Sequence, residues 1–359
     1  MTPVATAGKN GPSGKPIKRG RRSPRVVCFG EILWRLGPQG QERLLQGPVL
    51  VAHPGGAEAN VAVSLALLGH QAQVLGVISD NRLGAAALDH IRRHGVDTSG
   101  LLARPGRMGL YFLEPGAANR SSQVTYDRAD SAFAITPLPV ATVRAALQGA
   151  SWLHVSGITP ALGPVAAVNF ARVLREAARA GARISFDCNV RPSLWAGRPA
   201  EAAEAIRFGV GSAEIAFADE RSLAMALGLP ADGPKAIHDF ATLCKRAFAR
   251  FPGLQAIART CREEISSTRQ TIWAQFATRR RVLKTETRMV DPVVDRIGSG
   301  DAFAAALLAA RIERMPDTKT LEFALAACCL KLAVAGDFNL VSRAQIEANM
   351  AGGVQAARR

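Results

Sequence analysis

An α/β fold, with helices on both faces of a mostly parallel sheet and a small β lid, follows from three features of the 359-residue sequence. Short apolar runs of strand length alternate with longer helical stretches, and strands separated by helices pair in parallel in a three-layer α/β/α core. One segment breaks the alternation: MGLYFL and QVTYD, between Met108 and Asp127, flank a turn at Glu114 to Arg120 and read as a hairpin that forms an edge or a lid. Hydrophobic residues make up 48% of the chain, ample for one large core, and neither an internal repeat nor a second linker divides it.

The net charge of +16 suggests a nucleic-acid partner until its placement is considered. Lys9, Lys15, Lys18, Arg19, Arg21, Arg22 and Arg25 come before or open the first strand with no acidic residue among them. Residues 1–24, rich in Gly, Pro, Ser and Ala and without apolar periodicity, are therefore expected to form a disordered basic tail. The tail has no apolar core of a secretory signal, and no stretch reaches transmembrane length without a charge or Gly break. The expectation is a cytoplasmic protein that binds small molecules, neither nucleic acid nor membrane, and that forms a homo-oligomer. Six cysteines (Cys28, Cys188, Cys244, Cys261, Cys328 and Cys329) show no metal-ligand spacing and read as reduced thiols, mostly in the core.

Taken in order, VVCFG (Val26 to Gly30) is a buried strand, followed by a turn-rich segment to Val51. HPGGAEANVAVSLALLG places two glycines before a helix closed at Gly69. Next come a strand at Val74 to Ile78, a helix at Leu83 to His94 and the hairpin. Strands at Trp152 to Ser156, Arg183 to Asp187, Glu214 to Ala218 and Leu254 to Ala258 follow, with helices at Val165 to Ala180 and Ala236 to Ala249. The core domain is expected over 25–345, with lid segments at about 33–52 and 106–130 and a tail at 346–359.

The most legible chemistry lies in VDRIGSGDAFAAALLAAR, Val294 to Arg311. Gly298 and Gly300, around Ser299, lack Cβ atoms, so the backbone can take positive φ and turn N–H groups toward one point, where the following helix adds the positive end of its dipole. Negative charge should collect there. Asp301, in the first turn, can cap the helix or act as a base toward a bound hydroxyl. The apolar residues from Ala302 to Ala310 predict a helix buried all round. No Gly-x-x-x-x-Gly-Lys-Ser/Thr segment occurs, and Phe303 stands where a dinucleotide fingerprint needs its last Gly.

Three further stretches lie where α/β sheets place their sites, past the carboxyl ends of strands. Gly55 and Gly56 with Asn60 suit close approach to a hydroxyl-bearing ligand. Asp187, Asn189 and Arg191 alternate just past a strand, which puts an Arg within reach of a phosphate. Asp337, in GDFNLVS, follows an apolar helix. Singly these also read as a Gly turn, a solvated loop and a helix C-cap.

In this order the stretches resemble the ribokinase family of PfkB-type sugar kinases. The resemblance rests on the Gly-Gly-x-x-x-Asn segment from Gly55 to Asn60 and on the Gly-x-Gly-Asp segment from Gly298 to Asp301. GLYFLEPGAANR, VTYDRADSAF, HVSGITPAL, FDCNVRPSLW and GDFNLVS extend it to the sugar-acid branch, whose substrate is 2-keto-3-deoxygluconate, over roughly residues 26 to 345.

The resemblance implies a ribokinase-like core and transfer of the γ-phosphoryl group of ATP, with Mg²⁺, to a sugar-acid hydroxyl. By that resemblance Asp301 is the base, and the N–H groups of Gly298, Ser299 and Gly300 form the anion hole. Arg191 faces the transferring phosphate, with Asn189 toward the nucleotide. Gly55, Gly56, Asn60, Tyr111, Tyr126, Arg128 and Asp337 contact the sugar, and Arg128 meets its carboxylate. Thr260 and Arg262 are the adenosine-side candidates, and Asp295 can help hold a monovalent cation such as K⁺ or cap a turn. The chain departs from the family where Asp219-Glu220-Arg221-Ser222 stands for Asn-x-x-Glu, which leaves the Mg²⁺ ligands unassigned. Two rival classes stay open: a kinase for a neutral sugar such as fructose or ribose, and a catalytically weak sugar-binding regulator of the same fold.

Overall fold

The computed structural model describes residues 24–230, 236 and 239–350; the expected N-terminal tail, apart from its last residue, lies outside them. In chain order the strands are β1 (Arg25–Phe29), β2 (Leu33–Gly37), β3 (Val51–Gly55), β4 (Gln71–Ser79), β5 (Asp97–Arg104), β6 (Gly109–Glu114) and β7 (Gln123–Asp127). They continue with β8 (Trp152–Ser156), β9 (Arg183–Asp187), β10 (Ile215–Phe217), β11 (Ala256–Glu264), β12 (Gln270–Thr278), β13 (Val282–Lys284) and β14 (Arg288–Val290). The helices are α1 (Ala57–Leu67), α2 (Arg82–Arg92), α3 (Ala132–Ile135), α4 (Val140–Leu147), α5 (Pro164–Arg179) and α6 (Pro199–Ser212). The last five are α7 (Glu220–Leu227), α8 (Phe240–Arg250), α9 (Ser299–Ile312), α10 (Asp317–Lys331) and α11 (Arg343–Met350).

The main sheet runs β13-β12-β11-β10-β9-β8-β1-β4-β5, with β14 also on β12. From β11 to β5 every pairing is parallel, and β12 to β14 close one edge antiparallel. Because alternate side chains point to opposite faces, Val26 and Cys28 join a core shared with α1, α9 and α10. Val27 and Phe29 join a second core under α4 to α8. Both faces of β1 are buried, which is why VVCF reads as a continuous apolar run. Every residue from Ala302 to Ala310 is at most 2% exposed, and α9 packs between α1 and α10.

A separate four-stranded sheet, β3-β2-β6-β7, holds the hairpin. Of its other half, β2 lies in the stretch that the sequence presents as turn-rich, and β3 runs from the end of that stretch into the glycines ahead of α1. LWRLG ends on Gly and VAHPG carries a Pro-Gly pair, so local signals for strand are weak, and pairing across the small sheet decides. Strands β5, β12, β13 and β14 were also not expected; β5 opens on the polar residues Asp97, Thr98 and Ser99. The helix expected from Ala236 begins at Phe240, where the Asp239 carboxylate accepts from the Thr242 amide as its cap. The domain also runs past 345: α11 continues to Met350 and buries Ile346, so the tail expected from 346 begins too early.

Candidate active site

The carboxyl ends of β9 and β11, the N-termini of α1 and α9 and the small sheet enclose a cavity of about 1100 Å³. Asp301, Asn60, Gly56, Tyr111, Tyr126, Arg128, Asn189, Arg191, Thr260, Arg262, Gly298, Ser299, Gly300 and Asp337 all line it. Gly55 lies directly behind this wall, where a Cβ would come within 2.1 Å of the Asp337 carboxylate.

Its floor is the start of α9. Gly298, at φ 78°, is the N-cap, and a Cβ there would lie 2.1 Å from the Asp337 carbonyl oxygen, so only glycine lets the loop close against the neighbouring chain. Gly300 differs from expectation: it sits inside the helix without positive φ, and its missing Cβ would meet nothing within 4 Å. What Gly300 provides is space. The Ser299 part of the anion hole also needs correction, because its hydroxyl donates to the Arg296 carbonyl at 2.9 Å and its amide turns back to the same oxygen at 3.4 Å. The Gly300 and Asp301 amides, in the first turn, have no intrahelical acceptor and remain for an anion.

Asp301 does not cap the helix. Its Oδ2 accepts from Asn60 Nδ2 at 2.6 Å, joining the two signature segments across 241 positions. Burial pushes its carboxyl up to about 7, against the hydrogen bond from Asn60, with Asp187 raising it and Arg191 lowering it. Such a group changes protonation near neutral pH, as a general base should. Two buried acceptors flank it without a hydrogen-bond donor among the described residues, Asn60 Oδ1 and Asp337 Oδ1. Orphaned acceptors inside a cavity are suited to ligand hydroxyls.

Beside them Asp187 is raised by burial to about 6 while Arg191 draws it down. Its Oδ1 accepts from the Asn189 amide, which holds Asn189 at φ 36°. Arg191 itself is exposed at the cavity wall. Asp219 caps α7 through the Ser222 amide, and Glu220 pairs with Arg259, so this departure from the family pattern builds a helix start.

The roof holds groups the sequence did not announce. Arg35, on β2 and only 3% exposed, forks onto Asp295 and lies 3.1 Å from Asp337 Oδ1 through Nε, off the line of a hydrogen bond. The Tyr111 hydroxyl donates to Asp337 Oδ2 at 2.7 Å, and Tyr126 packs beside Tyr111. Asp337 is pushed up to about 6 by burial, against the pull of Arg35. Lys331, fully buried under the loop, donates to the Val334 carbonyl. Asp295, expected to help hold a monovalent cation or to cap a turn, is held by Arg35 and caps its own turn through the Ile297 amide. Arg128 is corrected in part. It falls just past the end of β7 and gives its Nε to buried Glu31 at 2.6 Å. Its two Nη groups have no hydrogen-bond partner among the described residues. Signals for Arg35, Lys331 and Glu31 are weak in sequence because their partners lie far along the chain; LWRLG alone offers an Arg in an apolar run.

The half-buried Asp301 carboxylate at the head of α9, close to the buried acceptors Asn60 Oδ1 and Asp337 Oδ1, is an arrangement that can take a proton from a bound hydroxyl beside a helix N-terminus. The chain belongs to the pfkB family of carbohydrate kinases, whose family model matches residues 23–251 and 271–341. It is 32% identical over 330 residues to the 2-dehydro-3-deoxygalactonokinase of Haloferax volcanii, covering 91% of this chain and 97% of that protein. The solved structure of a 2-dehydro-3-deoxygluconokinase from Thermotoga maritima aligns with TM-score 0.85 at 34% identity, over 92% of this chain and 100% of that one. A PfkB family carbohydrate kinase from Listeria grayi aligns with TM-score 0.84 at 32% identity, over 91% and 99%.

Proposed function

We propose that this sugar kinase transfers the γ-phosphoryl group of ATP to the terminal hydroxyl of 2-keto-3-deoxygluconate, giving 2-keto-3-deoxy-6-phosphogluconate. The observation that carries the reading is Asp301, poised near 7 and held by Asn60 at the N-terminus of α9. It takes the proton of the attacking hydroxyl, while the Gly300 and Asp301 amides and the helix dipole hold the charge that develops on the phosphoryl oxygens. Asn60 Oδ1 and Asp337 Oδ1 accept from sugar hydroxyls, Tyr111 and Tyr126 shape the sugar side, and Gly55 and Gly56 let the chain pass close. Arg191 neutralises the transferring phosphate, Asn189 borders the nucleotide, and Thr260 and Arg262 lie toward the adenosine. Mg²⁺ supplies charge neutralisation on the phosphates. When bound it would be held largely by phosphate oxygens and water, and Asp187, a cavity carboxylate next to Arg191, would suit a protein ligand to it.

The free Nη pair of Arg128 suits a carboxylate, and relatives named for 2-dehydro-3-deoxy sugar acids support that choice. The tie of Arg128 to Glu31 favours the second reading, a neutral ketose, and a Klebsiella pneumoniae fructokinase is among the relatives at 28% identity. A coupled ADP-release assay on a panel of sugar acids and neutral sugars decides. Highest kcat/KM on 2-keto-3-deoxygluconate is expected; a higher value on fructose or ribose replaces this substrate with a neutral one.

A further inference from the structure

The family resemblance implies a monovalent cation at Asp295, and the donor set around that carboxylate does not fit one. A carboxylate has about four in-plane acceptor positions. Asp295 Oδ1 accepts from Arg35 Nη1 at 3.1 Å and from the Ile297 amide at 3.0 Å. Its Oδ2 accepts from Arg35 Nη2 at 2.7 Å and from the Gly336 amide at 2.9 Å. All four positions are occupied, two of them by a buried guanidinium, and a metal ion could coordinate this carboxylate only by displacing one of these donors. Positive charge is also already present beside this carboxylate. Asp295 and Asp337 bring two negative charges, and Arg35 and Lys331, which both act electrostatically on that pair, bring two positive ones. An added cation would meet two fixed like charges.

We propose that Arg35 is the resident cation of this site, doing at Asp295 what a bound monovalent metal ion would do, so that phosphoryl transfer proceeds without one. The guanidinium has a second consequence that a free ion lacks. Arg35 belongs to the small sheet, directly between His53 of β3 and Tyr111 of β6 in register, whereas Asp295 opens the turn that leads to Gly298. The fork therefore fastens the roof of the cavity to the loop that carries the anion-binding amides, across 260 positions of sequence. A planar fork with two parallel N–H···O bonds fixes orientation as well as charge, which a spherical ion cannot. Arg35 is a positioning residue: it acts on the reaction through Asp295 and the loop. Burial opposes its charge, but Asp337 and Asp295 outweigh that and hold its pKa above the ordinary value.

The inference rests on the kinase reading of this site, and the test uses whichever sugar of the panel is phosphorylated fastest, so a mistaken substrate does not affect it. Failure of every sugar sinks the substrate reading instead. Wild-type kcat is measured in potassium chloride, sodium chloride and choline chloride at one ionic strength, about 0.1 M, so that general screening is constant. Equal rates within about twofold are expected, and a tenfold or larger stimulation by K⁺ or Na⁺ overturns the proposal. Arg35→Met keeps the apolar stem and removes the charge. It is expected to lower kcat by at least about tenfold, with partial restoration by K⁺ or by low, non-denaturing guanidinium, and with smaller loss in Arg35→Lys. Wild-type kcat in Arg35→Met, or a loss that no cation restores, overturns the role of Arg35 as resident cation. If Arg35→Met does not fold by circular dichroism, the salt comparison on the wild-type enzyme decides alone.

Discussion

The floor and the roof of the cavity use charge in opposite ways. On the floor half-buried Asp301 has a single hydrogen-bond donor among the described residues, Asn60, whose own Oδ1 has no donor there, and a Cβ on Gly300 would meet nothing within 4 Å. On the roof the guanidinium groups already have carboxylate partners: Arg35 with Asp295 and Asp337, and Arg128 with Glu31. The floor is built for an incoming group, and the roof uses its charges to hold a thin sheet in place. Removing one partner of such a buried pair would cost about 3–5 kcal/mol, because the other charge is then left buried and uncompensated.

The sharpest way to break this contrast is at the base. Asp301→Asn should lower kcat by about 10²–10⁴-fold, because it removes a positioned general base but keeps the shape. More than a tenth of wild-type kcat in the ADP-release assay would exclude Asp301 as the base. In the wild-type enzyme kcat/KM should rise with pH through about 7 as Asp301 ionises. Stability runs the other way. The folded carboxyl binds its proton more tightly than an unfolded one, so folded protein loses stability as pH rises from about 4 to about 7. Asp301→Asn should therefore melt higher than wild type at pH 8, and the difference should vanish below about pH 4.

Next in size is Gly298→Ala, whose methyl group meets the Asp337 carbonyl at a φ that alanine avoids. Displacing the loop should cost about 10²–10³-fold in kcat, the range found on loss of an oxyanion donor, together with a lower Tm. Unchanged kcat would mean that the amides of this loop do not hold developing charge.

On the roof, Arg128→Ala tests two roles at once. Loss of a charge-assisted bond to substrate, about 1.5–3 kcal/mol, predicts a roughly 10- to 150-fold fall in kcat/KM for a sugar acid and a far smaller fall for a neutral ketose. Loss of the Glu31 pair predicts a lower Tm that Glu31→Gln restores in the double variant. If the double variant recovers both Tm and kcat/KM, Arg128 serves the sheet alone and the carboxylate is met elsewhere.

The same contrast explains what could be read from sequence. The floor was legible because its chemistry is local: Gly-x-Gly-Asp ahead of an apolar helix, and Gly-Gly-x-x-x-Asn ahead of another, carry their own geometry. Even there the detail failed where tight packing took over, as when the Ser299 amide turned back to Arg296 and Gly300 proved helical. The parallel core was legible because strands buried on both faces are continuous apolar runs. Of the roof, the hairpin of β6 and β7 was legible, but the strands β2 and β3 were not, because they are short, carry Gly or Pro, and are stabilised by partners outside their own segment. Nothing local to Arg35 points to Asp295, and nothing local to Asp295 distinguishes a metal ligand from the acceptor of a guanidinium fork.

The smallest expected effect separates the two glycines of the loop. Gly298 is required by backbone shape, but Gly300 lies in ordinary helical conformation with open space where its side chain would be. Alanine fits a helix better than glycine, chiefly because it restricts the unfolded chain, so Gly300→Ala should stabilise the protein by about 0.4–1 kcal/mol. Its methyl group, however, would project into the cavity next to the amide that an anion must reach. A slightly raised Tm with weakened ATP binding by calorimetry is therefore expected, the opposite of a structural glycine. A lowered Tm would show that the space is used by the fold, and a raised Tm with unchanged ATP affinity would place the phosphates away from the head of α9.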